Sequence, residues 1–233
     1  MIKSFLFSLF FFLGIIFISI IFLPTLFLPQ KIVLLGGKIM GYWTSFCLQF
    51  FLSTKILIKG KENIIKNKKF FIAASHQSMF ETFFLQTVFD SPIFILKKEL
   101  LKIPIFGWYL KKIGSISIKR NKVSKENLGF FSEIFQLINS SNRPLIIFPQ
   151  GTRLSPEDRA PFKKGASRIY DELKISCQPI AINSGHIWPK QGLKKSNKTL
   201  TISILKSIEP GLNKVVFLQK LQNNIYSELN TLD

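Results

Sequence analysis

Phe70-Phe71-Ile72-Ala73-Ala74-Ser75-His76-Gln77-Ser78-Met79-Phe80-Glu81 is the stretch whose reading decides the fold. Five apolar residues in a row, opening into polar ones, read as a short strand buried on both faces. The chain turns at Ser75 to Ser78 and takes on helical character over 80–89. Strand, polar turn and helix make the repeating unit of an α/β protein, whose ligands gather beyond the carboxyl ends of the strands. His76 stands at such an end.

The same alternation continues outward. Further strands are expected at 56–58, 93–96, 115–118, 145–148, 178–183 and 199–205, with helices at 125–138, from about 165, and at 213–229. Within 125–138, Leu128, Phe131, Ile134, Phe135 and Ile138 have the spacing of one helical face. Residues 98–112 mix apolar and basic side chains around Pro104 and Gly107 and read as two short helices. The expected fold is α/β: a mixed, largely covered sheet flanked by helices, with a hydrophobic membrane-anchoring helical segment at the N-terminus.

That segment is plain in the composition. Residues 4–30 carry no charge, and the run 5–23 is almost wholly Phe, Leu and Ile, long enough to cross a hydrocarbon core. A secretory leader fits less well, because its apolar region is shorter and ends in small residues, whereas this run ends in Leu23, Pro24 and Thr25. Residues 39–53 are uncharged, aromatic and too short to span comfortably, so they are expected to lie at headgroup depth. Residues 1–55 are thus assigned to anchoring and interfacial helices and 56–233 to one catalytic domain, since 233 residues do not accommodate two full domains.

The formal charge is +19, from 32 Lys+Arg against 13 Asp+Glu, and nearly all the basic residues follow the first apolar run. By the positive-inside bias the catalytic part faces the cytoplasm. Such a charge suits an anionic lipid surface and equally nucleic acid, but no aromatic-basic RNA-binding signature accompanies it, so no nucleic-acid partner is expected. Cys47 and Cys177 lack metal-site or disulfide spacing, and a reducing compartment fits them.

Chemistry centres on two clusters. Glu81 follows His76 by five residues, and with a turn and the start of a helix between them its carboxylate can reach the imidazole, fix its tautomer and make it a general base. On spacing alone a structural histidine is the usual explanation. His186, with Gln191 at the same spacing, is expected to be structural or at the surface. The second cluster is Phe148-Pro149-Gln150-Gly151-Thr152-Arg153, where a glycine after a strand lets backbone N–H groups approach a ligand. Its arginine, one of five in the chain, offers a fork that matches phosphate oxygens as lysine does not. An ordinary turn with a solvated arginine fits that spacing equally.

Taken together, His76-Gln77-Ser78-Met79-Phe80-Glu81 and Phe148-Pro149-Gln150-Gly151-Thr152-Arg153 resemble the H-x4-D and F-P-E-G-T-R motifs of the glycerolipid acyltransferases, more specifically the bacterial 1-acylglycerol-3-phosphate acyltransferases. Leu96-Lys97-Lys98-Glu99-Leu100 and Ile103-Pro104-Ile105-Phe106-Gly107 resemble that family's K-K-E-L and I-P-x-F-G segment. Ile118-Lys119-Arg120 resembles a block usually ending in Asp-Arg, and Gln178 to Gly185 resembles the late V-P-V-A-x-N-S-G strand. The matches keep the family order across about residues 70–189.

The resemblance implies direct acyl transfer from a thioester of acyl carrier protein or coenzyme A to the sn-2 hydroxyl of 1-acylglycerol 3-phosphate (lysophosphatidic acid). The product would be phosphatidic acid, made for phospholipid biosynthesis among the lipids of the bacterial inner membrane, with no cofactor and no metal. It implies His76 as base, Glu81 as its orienting carboxylate, Lys97, Arg120 and Arg153 as phosphate ligands, and Gln150, Gly151 and Thr152 as substrate-facing loop. Backbone donors near Gly151 would meet the oxyanion. Ser78 and Thr152 are candidate site hydroxyls, or else local backbone caps.

Three positions depart from the pattern: Glu81 stands for the usual Asp, Gln150 for Glu, and Lys119 for the Asp before Arg120. They bear on the acceptor more than on the reaction. Another lysolipid, such as a lyso-ornithine lipid or a lysophospholipid, is the alternative acceptor, and a non-catalytic basic membrane tether is the alternative of a different class.

Overall fold

The structure, a computed structural model, describes residues 1–118 and 129–232. Among these, seven strands form one sheet in the order β1-β7-β6-β2-β5-β3-β4: β1 (Lys55–Lys59), β2 (Phe70–Ala74), β3 (Ile93–Lys97), β4 (Ile116–Ile118), β5 (Leu145–Ile147), β6 (Ser176–Ile182) and β7 (Thr199–Ile204). Neighbours run parallel except β6 and β7, so the sheet is mixed as expected. The helices are α1 (Ile2–Ile21), α2 (Gln30–Leu52), α3 (Phe80–Val88), α4 (Phe106–Lys112), α5 (Phe130–Ser140), α6 (Gly165–Leu173) and α7 (Lys214–Leu232). The part of the expected 125–138 helix before residue 129 lies outside the described residues, as do Lys119 and Arg120.

Both faces of the sheet are covered, which is why the central strands β2 and β5 read as unbroken apolar runs. Successive side chains of β2 point to opposite faces. Ile72 and Ala74 join a cluster with α1, α2 and α3, while Phe71 and Ala73 join one with α5, α6 and α7. The N-terminal helices therefore share a core with the sheet. In α1 the buried apolar stripe is Phe7, Phe11 and Ile18, and the rings of Phe7 and Phe11 meet Trp188 edge-on at 5.0 and 4.9 Å. Phe5, Phe10, Phe12, Ile16, Phe17 and Ile20 stay exposed on the other side. Among the described residues α1 alone is long and apolar enough to cross a membrane, with a mean hydropathy of 2.7.

The second segment differs from its expectation. α2 begins at Gln30 rather than at residue 39, and so includes Lys31 and Lys38. A helix tolerates charges on one side, and Lys38 reaches outward to Asp90 at 2.9 Å. Its inner stripe, from Val33 through Met40, Thr44 and Leu48 to Leu52, is buried, while Tyr42, Phe46 and Phe50 face out. An uncharged window captured the C-terminal part of this helix and missed its packed first turns. Close approach of α2 to α3 depends on Gly41, where a Cβ would stand 2.6 Å from the Phe83 carbonyl oxygen.

The consequence for function lies in strand direction. β2 is parallel to both β5 and β6, and β5 is parallel to β3, with Ala73 opposite Ile147 and Ala74 opposite Ile180. The carboxyl ends of these four strands therefore meet along one edge of the sheet. That edge brings together His76, the loop 148–153, Ser184 and Lys97.

Gly41→Ala is expected to cost about 1–3 kcal/mol and lower the thermal midpoint by several degrees, because a backbone atom of α3 cannot move aside. Gly165→Ala, at a position where a Cβ meets nothing within 4 Å, should leave the midpoint unchanged or slightly raised. Thermal unfolding followed by circular dichroism checks both.

Candidate active site

Glu81 organises the site. It lies in the first turn of α3 and is wholly buried. Its Oε1 accepts the backbone N–H groups of Gln77 and Ser78 at 3.2 Å, Oε2 accepts Ser78 N–H again at 3.2 Å, and the Ser184 hydroxyl donates to Oε1. Ser78 returns the favour to the helix, its Oγ accepting the Phe80 N–H at 2.8 Å. This Ser-x-x-Glu exchange has the logic of a capping box, so the helix start fixes the carboxylate. The extra methylene of glutamate is absorbed in reaching back to residues 77 and 78.

His76 Nδ1 lies 3.4 Å from Glu81 Oε2. Nδ1 is buried and has no hydrogen bond among the described residues, and the carboxylate is the acceptor it faces. Catalytic contacts of this kind are often long in the free enzyme and shorten when substrate binds. The ring itself is clamped from one side by Phe148, stacked at 4.1 Å between centroids and 18° between planes. Because β5 ends at Ile147, Phe148 is free of the sheet to do this. With Nδ1 turned to Glu81, Nε2 is the nitrogen left for a reacting hydroxyl.

His76 opens on a cavity of about 480 Å³. Its walls are largely apolar, with Phe22 just after α1, Val33 and Met40 from α2, Phe83 from α3, Phe94 and Leu96 from β3, and Phe106, Tyr109 and Leu110 from α4. Polar groups on the same cavity are His76, Ser78, Thr152, Arg153, Lys97 and Lys190 among others, and among the described residues no acidic side chain lines it. A long apolar cavity with a few convergent polar and cationic groups suits an amphiphile with an anionic head. Cys177 takes no part, since burial pushes its thiol well above its ordinary value.

A model of the acyltransferase family matches residues 55–183, more than half of the chain and every element just described from β1 to the end of β6. The chain belongs to the acyltransferase family. It is 34% identical over 147 residues to a 1-acyl-sn-glycerol-3-phosphate acyltransferase of Pseudomonas aeruginosa, a match covering 63% of this chain and 56% of that protein. It is 32% identical over 160 residues to the protein of the same name from Helicobacter pylori, covering 67% of each. The chain thus spans little more than half of the Pseudomonas protein. Its fold is that of the crystallised 1-acyl-sn-glycerophosphate (LPA) acyltransferase of Thermotoga maritima, with a TM-score of 0.79 over 99% of this chain and 95% of that one at 22% identity.

In this member of the family the residues singled out from sequence fall into three groups. His76, Lys97, Thr152 and Arg153 line the cavity, with Glu81 directly behind His76. Gln150 and Gly151 do not line it. Gln150 is buried, with its Oε1 accepting the His76 backbone N–H at 2.6 Å, so it ties the loop to the histidine. Gly151 has φ +75, the left-handed turn that favours glycine, and its N–H already donates to the Phe148 carbonyl at 2.9 Å. Donors for an oxyanion therefore shift one step along: the Thr152 and Arg153 N–H groups have no acceptor among the described residues. Arg120 lies outside the described residues.

The other described arginines are occupied. Arg143 donates to the Ser91 and Ile113 carbonyls, Arg159 to Asn230 Oδ1, and Arg168 pairs with Glu172. Arg153 alone of the four lines the cavity. Sequence reading missed Ser184, though it stood in the Asn-Ser-Gly string, because nothing local shows that the end of β6 closes over Glu81. It missed Lys190 for a similar reason.

Glu81→Gln should lower kcat by roughly two to four orders of magnitude, because the amide fails both the imidazolium and the three donors now aimed at a carboxylate. Glu81→Asp keeps the charge and should be milder. Steady-state rates of the two variants in folded protein decide it, and equal losses would argue against an orienting carboxylate.

Proposed function

We propose that this chain transfers an acyl group from a thioester of acyl carrier protein or coenzyme A to the sn-2 hydroxyl of 1-acylglycerol 3-phosphate, making phosphatidic acid. The observation that carries the reading is the meeting, on one apolar cavity, of a histidine backed by a buried carboxylate and an arginine without a partner among the described residues. The names of the Pseudomonas and Helicobacter relatives supply the acceptor.

In this reading the acceptor phosphate sits between Arg153 and Lys97, with Arg120 a third candidate, and an acyl chain lies along the apolar wall. His76 Nε2 takes the hydroxyl proton as the oxygen attacks the thioester carbonyl carbon. The oxyanion of the tetrahedral intermediate faces the Thr152 and Arg153 N–H groups, and Glu81 stabilises the imidazolium. The carbon–sulfur bond then breaks, and His76 returns its proton to the departing thiolate. Ester and free thiol are the products, with no acyl-enzyme formed.

The enzyme works at a membrane surface, in this reading the cytoplasmic face of a bacterial inner membrane. The exposed apolar side of α1, the outward aromatics of α2 and the +19 charge support that placement.

Purified protein given labelled lysophosphatidate with each donor should form diacyl product. His76→Ala should remove roughly a thousandfold of that activity without unfolding the protein. Product formed only from a different lysolipid would overturn the acceptor assignment. Arg153→Lys should weaken use of lysophosphatidate by about 1.5–3 kcal/mol, since a point charge lacks the fork geometry. The same change should matter much less for monoacylglycerol, and an equal proportional loss with both acceptors would falsify the phosphate role.

A further inference from the structure

Lys190 is a cation of the cavity that neither the motifs nor the mechanism uses. It follows Trp188 and Pro189 in the turn after β6, and it shares the cavity with His76 and Arg153. It is exposed, and it has no acidic partner among the described residues. Lys97, Arg153 and Lys190 thus put three cations on a wall that holds no acid among the described residues. Such an imbalance beside an apolar cavity concentrates anions.

Two sets of contacts fix where this lysine stands. On the catalytic side, the Gly185 N–H donates to Gln77 Oε1 at 3.0 Å and the Leu154 N–H donates to the His76 carbonyl at 3.0 Å. The turn carrying Lys190 and the loop carrying Arg153 therefore both hang on residues 76 and 77. They also touch each other, since a Cβ at Gly185 would stand 3.0 Å from Pro156 Cγ. On the membrane side, Trp188 is gripped edge-on by Phe7 and Phe11, and the Lys194 N–H donates to Ser4 Oγ at 2.9 Å. Helix α1 braces both ends of the segment in which Lys190 sits.

We propose that Lys190 is a further ligand for the acceptor's phosphate monoester, and that α1 positions it through Trp188. This rests on the lysophosphatidate reading above. Arg153 supplies a planar fork, and Lys190 adds a mobile point charge to that of Lys97, so that the dianion meets cations from three separate segments. The anchor helix then has a second role besides holding the enzyme at lipid: it sets the geometry of the acceptor site. A thioester donor carries a phosphodiester in its pantetheine arm, of related chemistry, so the two sources must be told apart.

The experiment is run in detergent mixed micelles, so that recruitment to a bilayer does not enter. Separate KM values are measured for 1-oleoylglycerol 3-phosphate and for palmitoyl-acyl carrier protein, in the wild type and in Lys190→Gln, Lys190→Arg, Phe11→Leu and the Phe11→Leu/Lys190→Gln double variant. Lys190→Gln should raise the acceptor KM roughly three- to tenfold, the modest effect of a partly screened charge, with kcat and donor KM within about twofold. Lys190→Arg should stay near wild type. Phe11→Leu should raise the acceptor KM in the same direction and add little on top of Lys190→Gln, as coupled sites do. An unchanged acceptor KM in Lys190→Gln overturns the phosphate role, as does a rise confined to the donor KM. Independent, additive effects of the two changes overturn the positioning role. Wild-type protein that acylates no lysophosphatidate sinks the proposed function itself, a result read before any variant is compared.

Discussion

A carboxylate sealed from water at Glu81 is the constraint on which the rest of the site depends. Taking such a charge out of solvent costs several kcal/mol unless donors surround it, so the fold must deliver those donors from wherever they lie in the chain. They come from two places, the turn after β2 and the hydroxyl of Ser184 beyond β6, and the imidazole of His76 faces the same carboxylate at 3.4 Å. Each is held at the carboxyl edge of the sheet because β2 and β6 run parallel side by side. The buried charge and the strand order thus require one another. His76 is oriented as a by-product of satisfying Glu81.

The second organising fact is that the apolar helices at the N-terminus are built into the catalytic unit. Phe7 and Phe11 share one cluster with Ile180 and Ile182 of β6, and Phe22, Val33 and Met40 form wall of the cavity on which His76 opens. An anchor joined by a flexible tether would place the enzyme near lipid without shaping the site. Here one face of the same helices packs into the core beside the site. Residues outside the stripe of α1 remain exposed as large apolar groups, a surface that water disfavours and a lipid leaflet accepts.

The occupation of the arginines separates function from structure in a basic chain. Arg143, Arg159 and Arg168 satisfy carbonyls, an amide or a nearby acid, and each has a local structural reason to exist. Arg153 has none of these among the described residues and faces the cavity. Lysines are harder to sort by count alone, since 27 of the 32 basic residues are lysine, five being arginine, and most are solvated. Only a shared cavity distinguishes Lys97 and Lys190 from that background.

Local pattern by itself determined the strands and helices that carry the site, and the histidine and its acid. Unbroken apolar runs at β2 and β5 report burial on both faces, and a helix start at Phe80 puts Glu81 within reach of His76; both are short-range properties of the chain. Local pattern also marked the apolar stretch that became α1, and it cut α2 short because a window that excludes lysine cannot see a helix whose lysines point outward. Only the tertiary structure decided that Ser184 closes over Glu81 across 103 residues of sequence, that Gln150 turns inward to the His76 backbone, and that Lys190 reaches the cavity under the brace of α1. Those placements follow from which strands lie side by side and in which direction, and no periodicity within a single segment encodes that.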